Sequence, residues 1–591
     1  MAPFKFDTIL NNMNNQHLAN IFYEIAFLLE MDGVPFKPAA YEKAAIILEN
    51  LEEDIEKIYQ KKGIKGFEEM PGIGKGIAFR MEEYIKTGKI SVYQYLKKKM
   101  PIDIGALDSI EGMGPRKIKI LYEKLGIKNV KDLEKAAKNH EIAKLFGFGP
   151  KTEVNILQGI EFLKRNKGRF LFSDAISIAE NVKQALNKSK LVKRIEIAGS
   201  LRRGKETIGD IDFLAIGSNH EKIMDAFVNL AGIAKIWAKG STKSSVRFKN
   251  GIDADLRIVP EKSFGAALQY FTGSKEHNIA LRKIAIDKGM KLNEYGLFKG
   301  PKMIEAGKEE KIYKALGLDW ITPELREDKG EIEAGFKHKL PKLIQKKDIK
   351  GDLHCHSAWN GGKNSLEELA KEGIKRGYQY LGISDHTKSL RIENGLEEKD
   401  ILLQIREIDR INKSLSKKRI KFRLLKGAEV NILKDGSLDI SDKVLSKLDY
   451  AIGGIHSGFK MKESENTQRL IKAMQNPYIS IISHPTGRII KRRDEYNIDL
   501  KQVLSIAKKT KTILEINSCA DRLDLKDANI RKTKELGITM IINSDAHEIE
   551  QLDNIGFGIT QARRGWAEKK DIANCLNIKK LLVRLKEKTK I

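Results

Sequence analysis

The chain has 591 residues, a length at which one hydrophobic core normally gives way to several domains. It carries 108 lysines and arginines against 80 aspartates and glutamates, and the net charge of +28 favours a polyanionic partner, because each neutralised phosphate releases a counterion. Three cysteines, none in a Cys-x-x-Cys pair, exclude a disulfide framework, and no apolar run reaches the roughly 20 residues that span a bilayer. Since the start has no signal-peptide pattern, we expect a cytoplasmic protein without a membrane partner.

Residues 1 to about 165 predict helices joined by glycine-rich turns. Glycines two positions apart allow a tight turn whose backbone N–H groups, at the positive end of a helix, hold a DNA phosphate without reading sequence. Two good copies occur, and a weaker third lies at Gly147 and Gly149. The turns resemble the helix-hairpin-helix motifs of DNA-repair proteins. In the two good copies we assign DNA binding to Gly72, Gly74, Lys75, Gly112, Gly114 and Lys117.

From about 190 to 260 the pattern changes to the period of two that is typical of β-strands. Asp210 and Asp212 stand two apart on one strand, so their carboxylates share a face about 7 Å apart and repel unless a divalent cation lies between them. GIDADLRIVP supplies a third acid from Asp253 and Asp255. Upstream, the turn at Gly199-Ser200 suits a triphosphate. The pattern predicts a site for two magnesium or manganese ions.

The motif GSLRRGKETIGDID and the strand DLRIVP resemble the palm of family X DNA polymerases, the DNA polymerase beta-like group. FGAALQYFTGSKEHNIAL resembles the nucleotide-selecting subdomain of that family, and the resemblance covers about residues 1–325. It implies template-directed synthesis from deoxynucleoside triphosphates on gapped or nicked DNA, with Asp210, Asp212 and Asp255 as metal ligands and Lys243 on the primer strand. It assigns the incoming nucleotide to Gly199, Ser200, Arg203, Gly209, Tyr270, Phe271, Gly273, Asn278 and Arg282.

One position departs from the relatives that remove 5′-deoxyribose phosphate. They carry a Schiff-base lysine in the helix after the first hairpin, where this chain has Arg80. A guanidinium stays protonated at neutral pH and cannot be that nucleophile, so lyase activity by the usual route is doubtful. Lys37 and Lys75 are nearby lysines, Tyr41 matches the family's pocket, and we assign Lys37 and Tyr41 to DNA binding.

Residues 326–348 are charged and poor in periodic apolar positions, which predicts a linker. Beyond it, seven short apolar runs alternate with amphipathic helices, a pattern that predicts a parallel (β/α)7 barrel. Metal-binding side chains end these runs, and the barrel would bring them to one mouth, where imidazoles and carboxylates suit zinc, manganese or iron. The candidates are His354, His356, His386, Glu429, His456, His484, Asp545 and His547.

The runs DLHCHS, ISDHT, GAEVN, GIHS, SHP and NSDAH resemble the PHP (polymerase and histidinol phosphatase) domain over about residues 349–575. The resemblance implies up to three metals with nine ligands, and a 3′–5′ exonuclease, 3′-phosphatase or abasic-site endonuclease activity. The ninth ligand, normally an aspartate, falls at Gly361, where Asn360 could compensate only as a neutral ligand. Lys388 and Arg488 follow ligand motifs, and we interpret them as surface charges, with phosphate binding as the alternative.

The sequence therefore predicts a multidomain repair polymerase with a second, metal-dependent phosphoesterase site, for which a monomer suffices. Its predicted parts are a lyase-like helix-hairpin-helix domain, a second helix-hairpin-helix subdomain, an α+β nucleotidyltransferase palm, a small nucleotide-selecting subdomain, the linker and the PHP barrel. Their boundaries are 1–88, 89–168, 169–262, 263–325, 326–348 and 349–591. Two alternatives stay open: a template-independent nucleotidyltransferase, and a barrel that is only a scaffold for DNA or protein.

Overall fold

The computed structural model describes residues 6–49, 51, 53–108, 110, 113–166, 168–390 and 393–588. The chain forms two compact units, Met1–Lys167 and Gly168–Ile591, which are described separately. Across these described ranges, every helix is either too short or too polar to cross a membrane. The finer domain boundaries predicted from the sequence stay predictions.

The first unit is helical. Its core is formed by side chains such as Phe22, Phe67 and Leu121, which are fully buried or nearly so. Its helices are α1 (Phe6–Asp32), α2 (Lys37–Glu49), α3 (Ile55–Lys62), α4 (Lys65–Glu68), α5 (Lys75–Thr87), α6 (Ser91–Lys99), α7 (Ile104–Asp108), α8 (Pro115–Leu125), α9 (Val130–Lys138) and α10 (Pro150–Asn166).

The second unit begins with a mixed α/β region. Its elements are β1 (Phe170–Leu171), α11 (Phe172–Lys188), β2 (Arg194–Ile197), α12 (Gly199–Arg202), β3 (Thr207–Ile208), β4 (Asp210–Ile216), α13 (His220–Val228), β5 (Ile233–Lys239), β6 (Lys243–Phe248) and β7 (Asp253–Ile258). The main sheet has the order β2-β4-β7-β6-β5, in which β4 and β7 are parallel and the other pairs antiparallel. The alternation of buried and half-buried residues along β6 and β7 packs one face on α11 and α13 and leaves the other for the polar residues.

A smaller helical and antiparallel region follows. It contains α14 (Phe264–Thr272), α15 (Lys275–Asp287), β8 (Lys291–Asn293), β9 (Gly296–Lys299), β10 (Lys302–Glu305), α16 (Glu309–Ala315) and α17 (Glu331–Phe336). The three strands form a sheet of order β10-β9-β8.

The segment 326–348, which the sequence predicts to be a linker, instead folds against this region and includes α17. Arg326 is fully buried, and its guanidinium donates to Glu309 at 2.8 Å and to the carbonyl of Ile321 at 2.9 Å. Glu331 is also fully buried and pairs with His277 at 2.7 Å. Two of the charges that suggest a solvated segment, Arg326 and Glu331, are therefore neutralised by partners elsewhere in the chain.

The rest of the second unit is a parallel barrel. Its strands are β11 (Gly351–Cys355), β12 (Tyr380–Ile383), β13 (Arg423–Lys426), β14 (Glu429–Asn431), β15 (Ala451–Gly454), β16 (Ile479–Ile482), β17 (Ile513–Asn517) and β18 (Met540–Asn543). Its helices are α18 (Leu366–Lys375), α19 (Glu398–Lys417), α20 (Asp442–Leu445), α21 (Glu463–Gln475), α22 (Leu500–Thr510), α23 (Asp527–Glu535), α24 (Ile555–Arg564) and α25 (Ile578–Lys586).

Because β13 and β14 are two parts of one interrupted strand, the described part of the barrel has seven strands, as the sequence predicts. Neighbouring strands pair in parallel, and the ring closes where Cys355 bridges Ala546 and His356 N–H donates to the carbonyl of Ala546 at 2.7 Å. The strands are apolar on both faces because helices cover the outside and side chains fill the inside. The strand ends that carry the metal-ligand candidates thus meet at one mouth.

Within the second unit the barrel packs directly on the α/β region. The ring of Phe557 meets that of Phe172 edge to face at 5.8 Å. A Cβ built on Gly204 would lie 2.3 Å from the methyl group of Thr560, so only glycine allows this approach. The two parts share a tight seam along α24.

A buried ion pair crosses the same seam. Arg488, which we interpreted from the sequence as a surface charge, is almost fully buried and pairs with Glu206 at 2.7 Å. Its guanidinium also donates to the carbonyl of Leu523. The surface interpretation is wrong because the partner carboxylate lies in another part of the chain.

Arg564 joins the seam to the turn that follows α12. Its guanidinium donates to the carbonyl of Arg203 at 2.8 Å and pairs with Glu327 at 3.1 Å and Asp527 at 2.7 Å. Its side chain is 2% exposed. Replacing it removes a cation from two poorly solvated carboxylates, of which Glu327 keeps Arg203 and Lys205.

We expect Arg564→Met to lower the free energy of unfolding by about 3–5 kcal/mol, the usual cost of removing one partner of a buried pair. Urea denaturation of the full-length chain measures this. The control is Arg410→Met, which breaks an exposed ion pair with Glu367 and should change stability by less than about 1 kcal/mol. Equal shifts in the two variants would contradict the buried role of Arg564.

Candidate active sites

The first candidate site is a cluster of carboxylates on two neighbouring strands. The register of β4 and β7 places Asp212 beside Asp255 and Asp210 beside Asp253. Burial, followed by the charges of Asp210 and Asp255, raises the pKa of Asp212 to about 6. Burial and the neighbouring acids raise the pKa of Asp210 as well. Carboxylates that destabilise one another's charge in this way are ready to share divalent cations.

The structure distinguishes the two candidates for the third acid. Both oxygens of Asp253 are already engaged, by the guanidinium of Arg247 at 2.7 Å and by the indole N–H of Trp237 at 2.8 Å. The bonds from Arg247 lower the pKa of Asp253. Asp255 instead pairs with Lys243 at 2.7 Å, at the position beside Asp212. This arrangement supports Asp255 as the third ligand.

The turn between β2 and β4 lies against the same carboxylates. Gly199 has a φ of +62°, and a Cβ built there would lie 2.3 Å from an oxygen of Asp212. Both observations require glycine, and they bring the start of α12, with Ser200, next to the acids. The guanidinium of Arg169 lies near Gly209. Its charge lowers the pKa of Asp210, but burial has the larger effect and the pKa is raised overall. Sequence reasoning missed Arg169.

The proposed nucleotide-selecting residues lie close to this turn. Arg203 donates to the carbonyl of Thr272 and pairs with Glu327 at 3.1 Å, and its guanidinium lies beside Gly273. Arg203 is thus anchored from both sides, at the junction of the sheet and α14.

The segment from Gln269 to Arg282, in α14 and α15, is held in place by contacts among its own side chains. Asn278 donates to the carbonyl of Tyr270 at 2.7 Å and accepts from Gln269 at 2.8 Å. The rings of Tyr270 and Phe271 meet edge to face at 5.1 Å, and both are half-buried. Arg282 is exposed, one turn after Asn278 on α15. The segment therefore presents aromatic, amide and guanidinium groups on one short stretch of chain.

The raised pKa of Asp212 makes cation binding depend on pH. A proton occupies this carboxyl below about pH 6, so the Mg²⁺ concentration for half-saturation of the site should rise as the pH falls through 6, by up to tenfold per unit. Magnesium titrations between pH 5 and 8 measure this. Asp253→Asn should follow the same profile. A requirement for magnesium that does not change over this range would contradict the coupling.

In the first unit, two glycine turns precede uncapped helices. Gly72 has a φ of +99°, and Gly74 precedes α5, whose first residue is Lys75. Gly114 precedes α8 in the same way, with Lys117 on its first turn. Among the described residues, no side chain caps either helix, so the first N–H groups remain available to an external acceptor. Gly112 lies outside the described residues.

Arg80 occupies the pocket expected for a lyase lysine. It pairs with Glu83 at 2.8 Å and donates to Ser91 at 3.1 Å. Tyr41 is buried beside Arg80. Burial raises the pKa of Tyr41, and the smaller opposing effect of the Arg80 charge does not reverse this. Lys37 lies exposed at the start of α2. The pocket is thus filled by a guanidinium that already has a carboxylate partner.

The second candidate site lies at the mouth of the barrel. Six of the eight predicted ligands are buried, and His456 and His547 are half-buried. Glu429 lies at the centre, with its oxygens 2.9 Å from His386, 3.0 Å from His484 and 3.2 Å from His456. Asp545 is 3.3 Å from both His354 and His356. The sequence-predicted ligands are therefore brought together.

The mouth contains three groups of ligand atoms that lie within 4.8 Å of one another. They are His354, His356 and Asp545; His386, Glu429 and His456; and His356, His386 and His547. Two ligand positions have unusual backbones, since Asp545 has a φ of +56° and His484 a φ of +27°. Strained non-glycine residues of this kind are common where a site must hold a side chain in place.

Buried nitrogen and oxygen atoms in this cluster have no hydrogen-bond partner. Among the described residues they include His354 Nε2, both ring nitrogens of His356, and Glu429 Oε2. An unpaired buried polar atom is costly, and metal coordination is what normally satisfies a group of imidazoles and carboxylates. Although burial alone would raise the pKa of the Glu429 carboxyl, the surrounding imidazoles hold it well below its ordinary range. The residues thus fit divalent cations.

Residues behind the ligands, which sequence reasoning missed, fix the orientation of the rings. Glu515 is fully buried and lies 2.7 Å from His354 Nδ1, which leaves Nε2 facing the cluster. In the same way, Asn431 Oδ1 lies 2.8 Å from His456 Nδ1 and leaves Nε2 of His456 facing the cluster. Metal-binding histidines usually have such partners. A glutamate inside the apolar run TILEINS is the signal that could have identified Glu515.

Comparison with known proteins identifies the family of the chain. The chain is 37% identical over 576 residues to "DNA polymerase/3′-5′ exonuclease PolX" of Bacillus subtilis, a match that covers 96% of this chain and 98% of that protein. The chain belongs to the family X DNA polymerases that carry a C-terminal PHP domain. Family models for the helix-hairpin-helix domain, the SAM-like helix-hairpin-helix tandem, the DNA polymerase beta thumb and the PHP domain match residues 13–90, 104–161, 267–327 and 352–519.

Each half of this family X chain also has relatives of its own. A probable phosphatase of Thermoanaerobacter sp. is 31% identical over 207 residues, which are 33% of this chain and 78% of that protein. DNA polymerase lambda of Arabidopsis thaliana is 23% identical over 347 residues, which are 53% of this chain and 62% of that protein. The expected fold, with a helical N-terminal region, a polymerase-like α/β region and a PHP barrel, is confirmed.

Proposed function

We propose that the chain fills short gaps in DNA by template-directed synthesis at the carboxylate cluster, as a DNA-repair polymerase. The observation that carries this proposal is the parallel pairing of Asp212 with Asp255, with Asp210 alongside and the Gly199 turn in contact with Asp212. When bound to these acids, magnesium or manganese would lower the pKa of the attacking 3′-hydroxyl and neutralise the triphosphate. The three carboxylates would hold the cations, and their positions on β4 and β7 bring them together.

The surrounding residues would position the nucleotide and the primer. The backbone of Gly199 and Ser200 and the guanidinium of Arg203 would hold the triphosphate, with Gly209 alongside. Tyr270, Phe271 and Gly273 would lie against the sugar and exclude a 2′-hydroxyl. Asn278 and Arg282 would contact the minor-groove edge of the new base pair, and Lys243 the primer strand. The fixed contacts of Arg203 and Asn278 support these roles, because rigid donors lose little entropy on binding.

A template-directed enzyme should prefer gapped DNA to a single strand. We expect incorporation on a one-nucleotide gap to exceed that on single-stranded DNA by at least about tenfold, because phosphate contacts at the hairpin turns of α5 and α8 are then available. Primer extension on both substrates measures this. Lys75→Gln should reduce the preference, and Lys86→Gln at the other end of α5 should not. Equal use of both substrates would favour the template-independent alternative.

The barrel supports a second activity. We propose that it hydrolyses phosphoesters at DNA 3′ ends or abasic sites, as a 3′–5′ exonuclease, 3′-phosphatase or abasic-site endonuclease. The observation that carries this proposal is the set of three ligand groups with unpaired buried atoms around Glu429. Two to three zinc, manganese or iron ions held there would supply a hydroxide nucleophile and stabilise charge on the phosphate. The names of the Bacillus and Thermoanaerobacter relatives agree with this chemistry.

Two further functions receive less support. Arg80, paired with Glu83, cannot form a Schiff base, so we propose no lyase activity through residue 80. A barrel that is only a scaffold would have no use for buried ring nitrogens that face one another without partners. We therefore keep an active metal centre as the interpretation of the barrel.

A further inference from the structure

The three ligand groups at the barrel mouth differ in charge. The group with His354 and His356 contains the carboxylate of Asp545, and the group with His386 and His456 contains that of Glu429. The third group, His356, His386 and His547, consists of imidazoles alone. Neutral imidazoles add no negative charge to offset that of a divalent cation, so a nearby carboxylate would strengthen binding at this position.

Glu393 is the carboxylate that lies beside this third group. A Cβ built on Gly361 would be 3.1 Å from Glu393 Oε2 and 3.6 Å from His547 Cδ2. The carboxylate of Glu393 therefore lies next to the volume that a side chain at position 361 would enter, on the side of His547. Gly361 has a φ of +68° and leaves this space open.

The backbone of Glu393 is fastened to the ligand-bearing strand end. Asn360, which is 2% exposed, donates from Nδ2 to the carbonyl of Glu393 and accepts at Oδ1 from the N–H of His386 at 2.9 Å. Both polar atoms of the Asn360 amide take part in these bonds. Asn360 is thus a clamp between His386 and Glu393, which favours a structural role over that of a neutral ligand.

The loop that carries Glu393 folds back onto the same strand end. Leu396 N–H donates to the carbonyl of His386 at 2.8 Å, and Leu396 bridges Thr387. A Cβ on Gly395 would lie 2.0 Å from the carbonyl of Thr387, so the two chain segments touch. Within the described part of the chain, none of the ion pairs or side-chain hydrogen bonds uses the carboxylate of Glu393, which leaves it available to a cation.

We propose that Glu393 is a ligand of the third metal ion, together with His356, His386 and His547, and supplies the carboxylate that position 361 lacks. This inference rests on the proposed metal-dependent function of the barrel. The half-buried side chain of Glu393 has three rotatable bonds, so its carboxylate can change position while the clamped backbone stays fixed.

The test is a Mn²⁺ titration of the full-length chain, followed by electron paramagnetic resonance of the free ion. All proteins carry Asp212→Asn, so that the polymerase acids contribute no strong binding. We compare this parent with Glu393→Gln, with Glu367→Gln as a control that removes an exposed carboxylate of α18, and with the double variant Gly361→Asp/Glu393→Ala. Aspartate is one of the few residues that tolerate the left-handed backbone at position 361.

We expect three equivalents of Mn²⁺ in the parent and in the Glu367→Gln control. In Glu393→Gln the third equivalent should bind at least about tenfold more weakly while the other two remain, and the double variant should regain it. Three equivalents with unchanged affinity in Glu393→Gln, or only two in the parent, would overturn the role of Glu393 alone. A parent that binds fewer than two would overturn the metal-dependent function of the barrel as well.

Discussion

Asp212→Asn is expected to reduce the rate of nucleotide incorporation by roughly 1,000-fold or more, because a shared cation ligand contributes several kcal/mol to charge stabilisation in the transition state. Asp212 is the acid closest to both Asp255 and the Gly199 turn. The single-turnover rate of primer extension on gapped DNA measures the loss. The nuclease activity of the same preparation should remain unchanged, since its ligands lie in the barrel.

Asp253→Asn is the matched control for this variant. Asp253 stands two residues from Asp255 on the same strand, but both of its oxygens are bound by Arg247 and Trp237. We expect incorporation to fall by less than about threefold, which is below 1 kcal/mol. If Asp253→Asn were as inactive as Asp212→Asn, the assignment of the third ligand to Asp255 would be wrong.

The unfolding temperature of Asp212→Asn provides a second test of this variant. In the absence of metal, burial and two neighbouring acids destabilise the charged form of Asp212, as its raised pKa indicates. The variant should therefore unfold at the same temperature as the parent chain or higher when the pH is above 6. A lower unfolding temperature would mean that the loss of synthesis reflects damage to the fold.

Glu429→Gln is expected to abolish the phosphoesterase activity of the barrel, again by roughly 1,000-fold or more, and to leave primer extension intact. Glu429 lies within 3.2 Å of three imidazoles, and its negative charge is favoured there against the cost of burial. An amide supplies a weaker, neutral oxygen, so metal content should also fall. Release of nucleotides from a 3′ end and metal analysis of the purified chain measure both effects.

The control for Glu429→Gln is Asp435→Asn, which alters an exposed carboxylate of the barrel that pairs with Lys472. It should retain both activities and the full metal content. If Glu429→Gln lost synthesis as well as hydrolysis, the two chemistries would share one site, contrary to the separate clusters around Asp212 and Glu429.

The ligand positions could be predicted from the sequence because they follow a rule of topology. In a parallel barrel the ends of all strands meet, so polar residues at the ends of apolar runs must gather at one mouth. A second rule, the alternation of side chains along a strand, predicts that Asp210 and Asp212 share a face of β4. Short-range geometry is sufficient in both cases.

The residues that escaped prediction depend on partners distant in the sequence. Arg326 and Glu331 resemble a solvated segment until Glu309 and His277 are placed beside them. Glu393 has no motif of its own, and only the fold places it next to Gly361. Arg488 likewise required the position of Glu206. Pairing between separate elements is a property of the packed chain, and composition and periodicity carry no information about it.

The seam along α24 has a consequence for dissecting this enzyme. A chain cut before the barrel would lose Arg488 and Arg564 and leave Glu206 and Glu327 without these cations, close to the turn that we propose for the triphosphate. Glu327 would keep Arg203 and Lys205, but the loss of Arg488 and Arg564 would still make this position more negative and weaken its attraction for the nucleotide even though every catalytic acid is present. Failure of such a fragment to copy DNA would report on missing counter-charges, and single substitutions in the intact protein are the means to tell the two chemistries apart.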